Sequence, residues 1–448
     1  MKVSFAQALL ILLFGTFTAR AEDSKPNFVF VIADDLGWGD VGFHDGCAPT
    51  PHLDKLCNEG LELLQHYVAP VCSPTRTGLM TGRYWSRFGV TTPSNSRALP
   101  WPTVTLPRAL QTAGYRTCLA GKWHLGSQPE WGPNHFGFDH SYGSLAGGVG
   151  PWNHRYKEGP YTVTWHRNEK LIEESGHVTD LITAEAVAWL KRQGEQPFFL
   201  YIPFTAVHLP VKEPDEWLAR VPQSLAEEVP RQYAASIMHL DDAVGKIIAV
   251  LEETGQRENT LLVFTSDNGG SAAENNDSRY PDDNYPAGKI PGNNAPLRGK
   301  KGDLYEGGIR VPTIVSWPGR LAAGAKCTTP IHVTDWMPTF CSLAGYSPEK
   351  DLSWDGSDIW PSLAEQAPRT SPPLYWVGNS ARNSAVRVGD WKLITHHADS
   401  DPKHELFNLA QDPQEAVNLA DEKPDVLAEL VDTMASLAQA DGDSIAND

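Results

Sequence analysis

At 448 residues the chain exceeds the usual size of one domain, which predicts two domains or one large domain with an appendage. Hydrophobic residues at 41%, charged residues at 21%, 38 Gly and 35 Pro fit a globular enzyme with long loops and exclude a fibrous or disordered chain. A formal net charge of -18 argues against a nucleic-acid partner, so an anionic substrate would need a locally basic pocket.

The first residues read as an export signal: Lys2, an apolar run from Ala8 to Phe14, then Ala19-Arg20-Ala21 as a cleavage site. Cleavage after Ala21 is expected, giving a periplasmic or secreted product. No later segment has the apolar length of a membrane span. Six cysteines follow, at 47, 57, 72, 118, 327 and 341, too sparse for a disulfide scaffold. Cys118, in a predicted buried strand, is expected to be a free thiol, and spacing leaves any pairing of Cys47 with Cys57 or of Cys327 with Cys341 open.

Residues 27–33 form an apolar, β-branched and aromatic run that predicts a strand buried on both faces, and it stops in Asp34-Asp35. Adjacent carboxylates after a buried strand are costly unless paired or bound to a cation. The local alternative is a solvated acidic turn. Residues 51–60 predict a helix, and Cys72-Ser73-Pro74-Thr75-Arg76 then reads as a loop entering another, with Ser73 as N-cap and Pro74 in the first turn. Such a helix start favours an anion, and Arg76 could add a charged fork to it; a buried cysteine beside a structural arginine fits this segment equally well.

Residues 106–113 predict a helix and 115–120 a strand, which ends in Lys122 and His124, two apart and so on one side of an extended chain. From 127 to 176 periodicity disappears and Trp131, Trp152, His154, Arg155 and Trp165 accumulate, a pattern suited either to stacking on a sugar or to covering the core. A helix over 177–192 and a buried strand over 197–204 deliver His208. A long amphipathic helix over 229–253 precedes the strand 260–265, which ends in Ser266-Asp267-Asn268. Residues 271–295 are loop, leading to Lys300, Lys301 and Gly302; strand 311–317 and helix 334–343 follow. Beyond about Ser347 antiparallel strands at 374–377 and 385–394, then a helix at 424–437, predict a small α+β subdomain.

Buried strands alternating with helices predict an α/β fold with a large, mostly parallel, doubly wound sheet whose strand ends carry the polar residues. Asp34, Asp35, Asp267 and Asn268 offer only oxygen ligands, which selects a hard divalent cation, calcium before magnesium. With Arg76, Lys122, His124, His208 and one of Lys300 or Lys301 nearby, this set suits transfer of a charged tetrahedral group such as sulfate or phosphate.

The chain resembles the formylglycine-dependent sulfatases of arylsulfatase type in the alkaline-phosphatase-like superfamily, from Asn27 to about Leu419. The resemblance rests on Cys72-x-Pro74-x-Arg76 followed by Thr77-Gly78, Gly121-Lys122-Trp123-His124-Leu125-Gly126, Asp34-Asp35, Ser266-Asp267-Asn268-Gly269 and residues 302–310. It implies hydrolysis of sulfate esters on a sulfated small molecule or oligosaccharide, and oxidation of Cys72 to 3-oxoalanine by a formylglycine-generating enzyme. One calcium ion would be held by Asp34, Asp35, residue 72, Asp267 and Asn268. Arg76 would support residue 72, Lys122 and Lys301 would bind sulfate oxygens, His124 would act as base, and His208 would face the leaving group. Thr75 stands where many members have Ser.

The resulting division is a signal peptide at 1–21, a catalytic domain at 22–346 and a C-terminal subdomain at 347–448, with substrate choice assigned to loops 127–176 and 271–296 and to that subdomain. A phosphatase or phosphodiesterase of the same superfamily is the nearest alternative, but its second metal would need extra His and Asp ligands that this sequence does not offer. A non-catalytic anion- or glycan-binding protein would be expected to have lost a basic or metal residue. A cysteine hydrolase leaves the acidic cluster without a role.

Overall fold

The computed structural model describes residues 25–276, 279–281, 284–365, 367, 369–397 and 402–446; the export signal expected at 1–21 lies outside them. Its centre is a ten-stranded sheet. The spatial order is Ala325–Cys327, Leu61–Leu63, Ile314–Ser316, Thr260–Ser266, Asn27–Ala33, Phe198–Pro203, Arg116–Ala120, His140–Ser144, Trp165–Arg167 and Lys170–Leu171. The five strands from Thr260–Ser266 to His140–Ser144 run parallel, and Ile314–Ser316 and Trp165–Arg167 flank them antiparallel.

The first strand shows why both faces are covered. Phe28, Phe30 and Ile32 enter one apolar core, while Val29, Val31 and Ala33 enter the other. Leu106–Thr112 and Trp336–Ala344 close the first face; Pro51–Glu59, Val178–Leu190 and Glu228–Glu253 close the second. Full burial of each large side chain contributes roughly 1.5–3 kcal/mol, so this strand is strongly fixed in register. Ala33 lies opposite Ser266 and Ile32 opposite Pro203, which aligns the polar ends of three strands on one edge.

Beyond the large sheet, Leu374–Val377, Asn383–Val388, Trp391–His396 and Lys403–Asn408 form an antiparallel four-stranded sheet backed by the helix Pro424–Ala438. A buried charge cluster joins it to the rest. The Lys392 ammonium lies 2.9 Å from Glu306 and 2.8 Å from Glu415, and Trp376 donates its indole N–H to the carbonyl of Val68. No helix among the described residues is long and apolar enough to cross a membrane.

One local expectation changes, one strand goes unannounced by the sequence, and the free Cys118 is as expected. The stretch 127–176 is not all loop, because His140–Ser144, Trp165–Arg167 and Lys170–Leu171 extend the sheet; the first reads His-Ser-Tyr-Gly-Ser, without the apolar run that marks a buried strand. Leu61–Leu63 is likewise too short to announce itself. All six cysteines, Cys118 among them, are free thiols.

Candidate active site

Cys72 opens the ten-residue helix Cys72–Thr81, fully buried along its length. Its N-cap is Val71 and not Ser73, whose hydroxyl instead donates to the carbonyl of His124 at 3.0 Å. Thr75 also turns inward: its hydroxyl donates to the Asp267 carbonyl at 2.6 Å and accepts the Ala69 N–H at 2.9 Å. These two hydroxyls tie the helix start to two other strand ends. The sequence placed both residues in the motif without indicating these bonds.

The strand ends meet as the register requires. The Asp267 N–H donates to Ala33, and the Asp35 N–H donates to an Asp267 carboxylate oxygen at 3.2 Å. Lys122 reaches Asp34 at 2.6 Å, Lys301 reaches Asp35 at 2.7 Å, and Arg76 reaches Asp267 at 2.8 Å. Three carboxylates thus face three cations. Arg76 is not aimed at an anion directly, as a lone helix-start reading suggested: its second nitrogen donates to the Lys122 carbonyl at 2.6 Å, so it fixes Asp267.

Burial and neighbouring charges push the carboxylates of the cluster in opposite directions. Burial, reinforced by Asp267, pushes the Asp34 carboxyl up to about 8 against the pull of Lys122. Burial acts the same way on Asp35, but Lys301 and His208 prevail and hold it down near about 2. One oxygen each of Asp34 and Asn268 is buried without a hydrogen-bond partner among the described residues. Asp34, Asp35 and His208 bring ligand atoms within 4.8 Å of one another. Unpaired buried oxygens converging beside carboxylates fit a hard cation, so the donor set that the sequence singled out is suited to one.

Lys122 and His124 reach the site by a route other than extended chain. Gly121 has φ 140° and lies so close to the Pro203 carbonyl that a Cβ would sit 2.0 Å from it, and His124 has φ 57°. Asp35 is also left-handed, at φ 64°. Such conformations cost about 1–3 kcal/mol each in a non-glycine residue, and they cluster where side chains are aimed for function.

Nδ1 of His124 stands 3.2 Å from the Cys72 sulfur. Burial first, then Lys122 and Arg76, hold this imidazole well below its ordinary pKa, so it is neutral and able to accept a proton. Burial likewise raises the Cys72 thiol. A neutral thiol is a poor nucleophile, which disfavours direct cysteine catalysis. His208 spends Nδ1 on the Leu209 carbonyl, and its Nε2 lies 3.7 Å from Asp35; burial and Lys301 lower its pKa to about 3.

Cys72, His124, His208, Lys300 and Lys301 line a cleft of about 840 Å³ together with Tyr156, Lys157, residues 271–274 and Asn379. Of the two candidate lysines, Lys301 enters the charge cluster and Lys300 stays exposed on the cleft wall. None of Trp131, Trp152 and Trp165 lines this cleft. Trp165 is buried against His154, and Trp152 packs edge-on to His177. A second charged group, His177, Glu213, His239 and Asp180, sits apart from it: Glu213 and Asp180 bond the two nitrogens of His239 at 2.8 and 3.2 Å.

A doubly wound sheet that gathers cations, carboxylates and a proton acceptor around one helix start defines a hydrolase for esters of a charged tetrahedral group. The sulfatase family model matches residues 26–346, and a model of the N-sulphoglucosamine sulphohydrolase C-terminal region matches residues 300–440. The chain belongs to the sulfatase family and is a sulfuric ester hydrolase. It is 32% identical to arylsulfatase J of Mus musculus, over 92% of this chain and 75% of that protein, and 33% identical to N-acetylgalactosamine-6-sulfatase of Mus musculus, over 86% and 75%. The solved structure of Ps i-CgsB in complex with k-i-k-neocarrahexaose superposes with a TM-score of 0.83 at 30% identity, covering 95% of each chain.

Proposed function

We propose that the protein removes sulfate from a sulfated carbohydrate, using residue 72 as a formylglycine hydrate beside one calcium ion. The observation that carries this reading is the Cys72 sulfur 3.2 Å from Nδ1 of His124, within a pocket where three carboxylates are each paired with a cation. The relatives named for N-acetylgalactosamine-6-sulfate hydrolysis and the structure bound to a neocarrahexaose support a carbohydrate substrate.

Oxidised and hydrated, residue 72 would supply two geminal hydroxyls, one to attack sulfur and one whose deprotonation expels sulfate. Calcium, held by Asp34, Asp35, Asp267, Asn268 and residue 72, would polarise a sulfate oxygen. Because the carboxylates are already balanced by Arg76, Lys122 and Lys301, a divalent ion leaves the pocket with excess positive charge for the anion. Lys122 and Lys301 then bind sulfate oxygens and stabilise charge as the S–O bond to the sugar breaks. His208 presents Nε2 to the departing oxygen. His124 accepts the proton of the second hydroxyl at Nδ1, so that the aldehyde re-forms as sulfate leaves and water restores the hydrate.

This chemistry requires a formylglycine-generating enzyme as maturation partner, and residues 1–21 are read as the signal that exports the product. The test is turnover of an aryl sulfate and an aryl phosphate by protein from a host able to oxidise Cys72. Faster sulfate hydrolysis supports the reading; faster phosphate hydrolysis replaces it with a phosphatase.

A further inference from the structure

Away from the cleft, four titratable side chains from three segments meet. His177 caps the helix Val178–Leu190 and Asp180 stands in its first turn, while His239 lies in the middle of Glu228–Glu253 and Glu213 precedes that helix. Donor atoms of His177, Asp180 and His239, one from each, lie within 4.8 Å of one another. None of the four residues lines the catalytic cleft, so they add no second metal to the reaction described above.

Nε2 of His177 is the atom that an ion cluster alone leaves without a role. The residue is only 3% exposed, and this nitrogen has no hydrogen-bond partner among the described residues. It faces the cluster, 3.6 Å from a Glu213 carboxylate oxygen, beyond hydrogen-bond reach. Nε2 of His239 stands 3.2 Å from an Asp180 oxygen. Two ligands on one tetrahedral ion, with bonds of about 2.0–2.1 Å, are about 3.3 Å apart, so this gap suits a shared metal.

The surrounding contacts are those of a metal-binding histidine. Glu213 bonds Nδ1 of His239 at 2.8 Å, the carboxylate–imidazole pairing that fixes the tautomer and turns Nε2 toward a metal. Trp217 stacks on the His239 ring at 4.6 Å and Trp152 packs edge-on to His177 at 5.2 Å, so both rings are held in place by packing. Asp180 is half exposed, which supplies an entry path and room for a water ligand. One contact opposes the arrangement: Nδ1 of His177 accepts the Thr179 N–H, and a metal on Nε2 would place the ring proton on Nδ1. At 3.4 Å that bond is long, so little is lost with it.

We infer that His177, Asp180 and His239 form a site for zinc or a similar borderline divalent ion, bound by two imidazoles and a carboxylate with Glu213 behind His239. The imidazole donors separate it from the oxygen donors of the catalytic cluster, which suit calcium. The ion pins the helices Val178–Leu190 and Glu228–Glu253 to each other. It also displaces the proton that otherwise sits between His239 and its carboxylates, so any pH dependence carried by that proton belongs to the metal-free protein. The inference does not rest on the sulfatase reading.

In the experiment the protein is stripped with a chelator, resaturated with calcium and titrated with zinc by calorimetry, and bound metal is counted after gel filtration. Wild type should take up one equivalent of zinc that excess calcium does not displace, and zinc should raise the melting temperature beyond the value reached with calcium. Asp180→Asn, at a half-exposed position, and His177→Asn, which keeps a good helix cap, should each weaken zinc binding more than about 10-fold while calcium still raises the melting temperature. Wild type that binds no stoichiometric zinc would overturn the site and leave the four groups as a metal-free ion cluster. Zinc affinity unchanged in either variant would place the ion elsewhere and overturn it as well.

Discussion

Nδ1 of His124 and the sulfur of Cys72 lie 3.2 Å apart, with the imidazole held neutral by burial and by Lys122 and Arg76. A neutral base at that distance is placed to take a proton from an atom on residue 72, not to give one to the leaving group. His124→Ala should therefore slow sulfate release more than the first bond cleavage. Steady-state turnover should fall about 10²- to 10⁴-fold, with a burst of one equivalent of alcohol and a sulfated protein visible by intact mass. Loss of the burst together with turnover would assign His124 to the first step.

Gly147 offers a gentler probe of the same ring. A Cβ at that position would stand 2.5 Å from His124, so Gly147→Ala must displace the imidazole. Activity should drop about 100-fold or more, the scale of a misplaced catalytic group, while overpacking lowers stability by only about 1–3 kcal/mol. Unchanged kcat would mean that the ring position is not critical.

The unpartnered oxygens of Asp34 and Asn268 predict that calcium stabilises the fold. Thermal melting should shift upward on adding calcium, since a ligand that binds only the native state stabilises it by mass action. Chelation should abolish activity and calcium restore it. In Asp267→Ala the shift should vanish, because that change also frees the Arg76 guanidinium. A persisting shift would place the ion elsewhere.

Away from the cleft, His239 predicts a pH dependence of stability. Burial alone would lower its pKa, but hydrogen bonds to Asp180 and Glu213 raise it to about 9. A histidine raised on folding stabilises fully below its unfolded value, near 6.5, and that contribution is lost as pH rises through about 9. Urea unfolding should show stability falling across that window. His239→Gln should flatten the fall and cost about 3 kcal/mol at neutral pH, the low end for a broken buried pair because Asp180 is half exposed. An unaltered pH slope in the variant would remove His239 from the account.

The apolar strands ending at Asp34, His124, His208 and Asp267 were legible because each is a short run buried on both faces, and their polar ends name the site once the sheet is parallel. Lys122 and His124 were found for an incomplete reason, since the left-handed turn at His124 depends on close backbone contacts that no spacing reveals. The strand His140–Ser144, paired on both sides within the sheet, was missed because its mostly polar residues gain their place from neighbours, not from hydrophobic pattern. Tyr156, Lys157 and Arg279 lie in the loops 127–176 and 271–296 to which the sequence assigned substrate choice, but nothing in the pattern singled them out; only the meeting of the two distant loops brings them to the cleft.

The most direct test is the mass of the peptide carrying residue 72, taken from protein whose specific activity on an aryl sulfate is measured in the same sample. The account predicts the aldehyde mass in active protein, activity proportional to the fraction converted, and none in Cys72→Ala. Full activity in protein whose residue 72 is entirely thiol would contradict it.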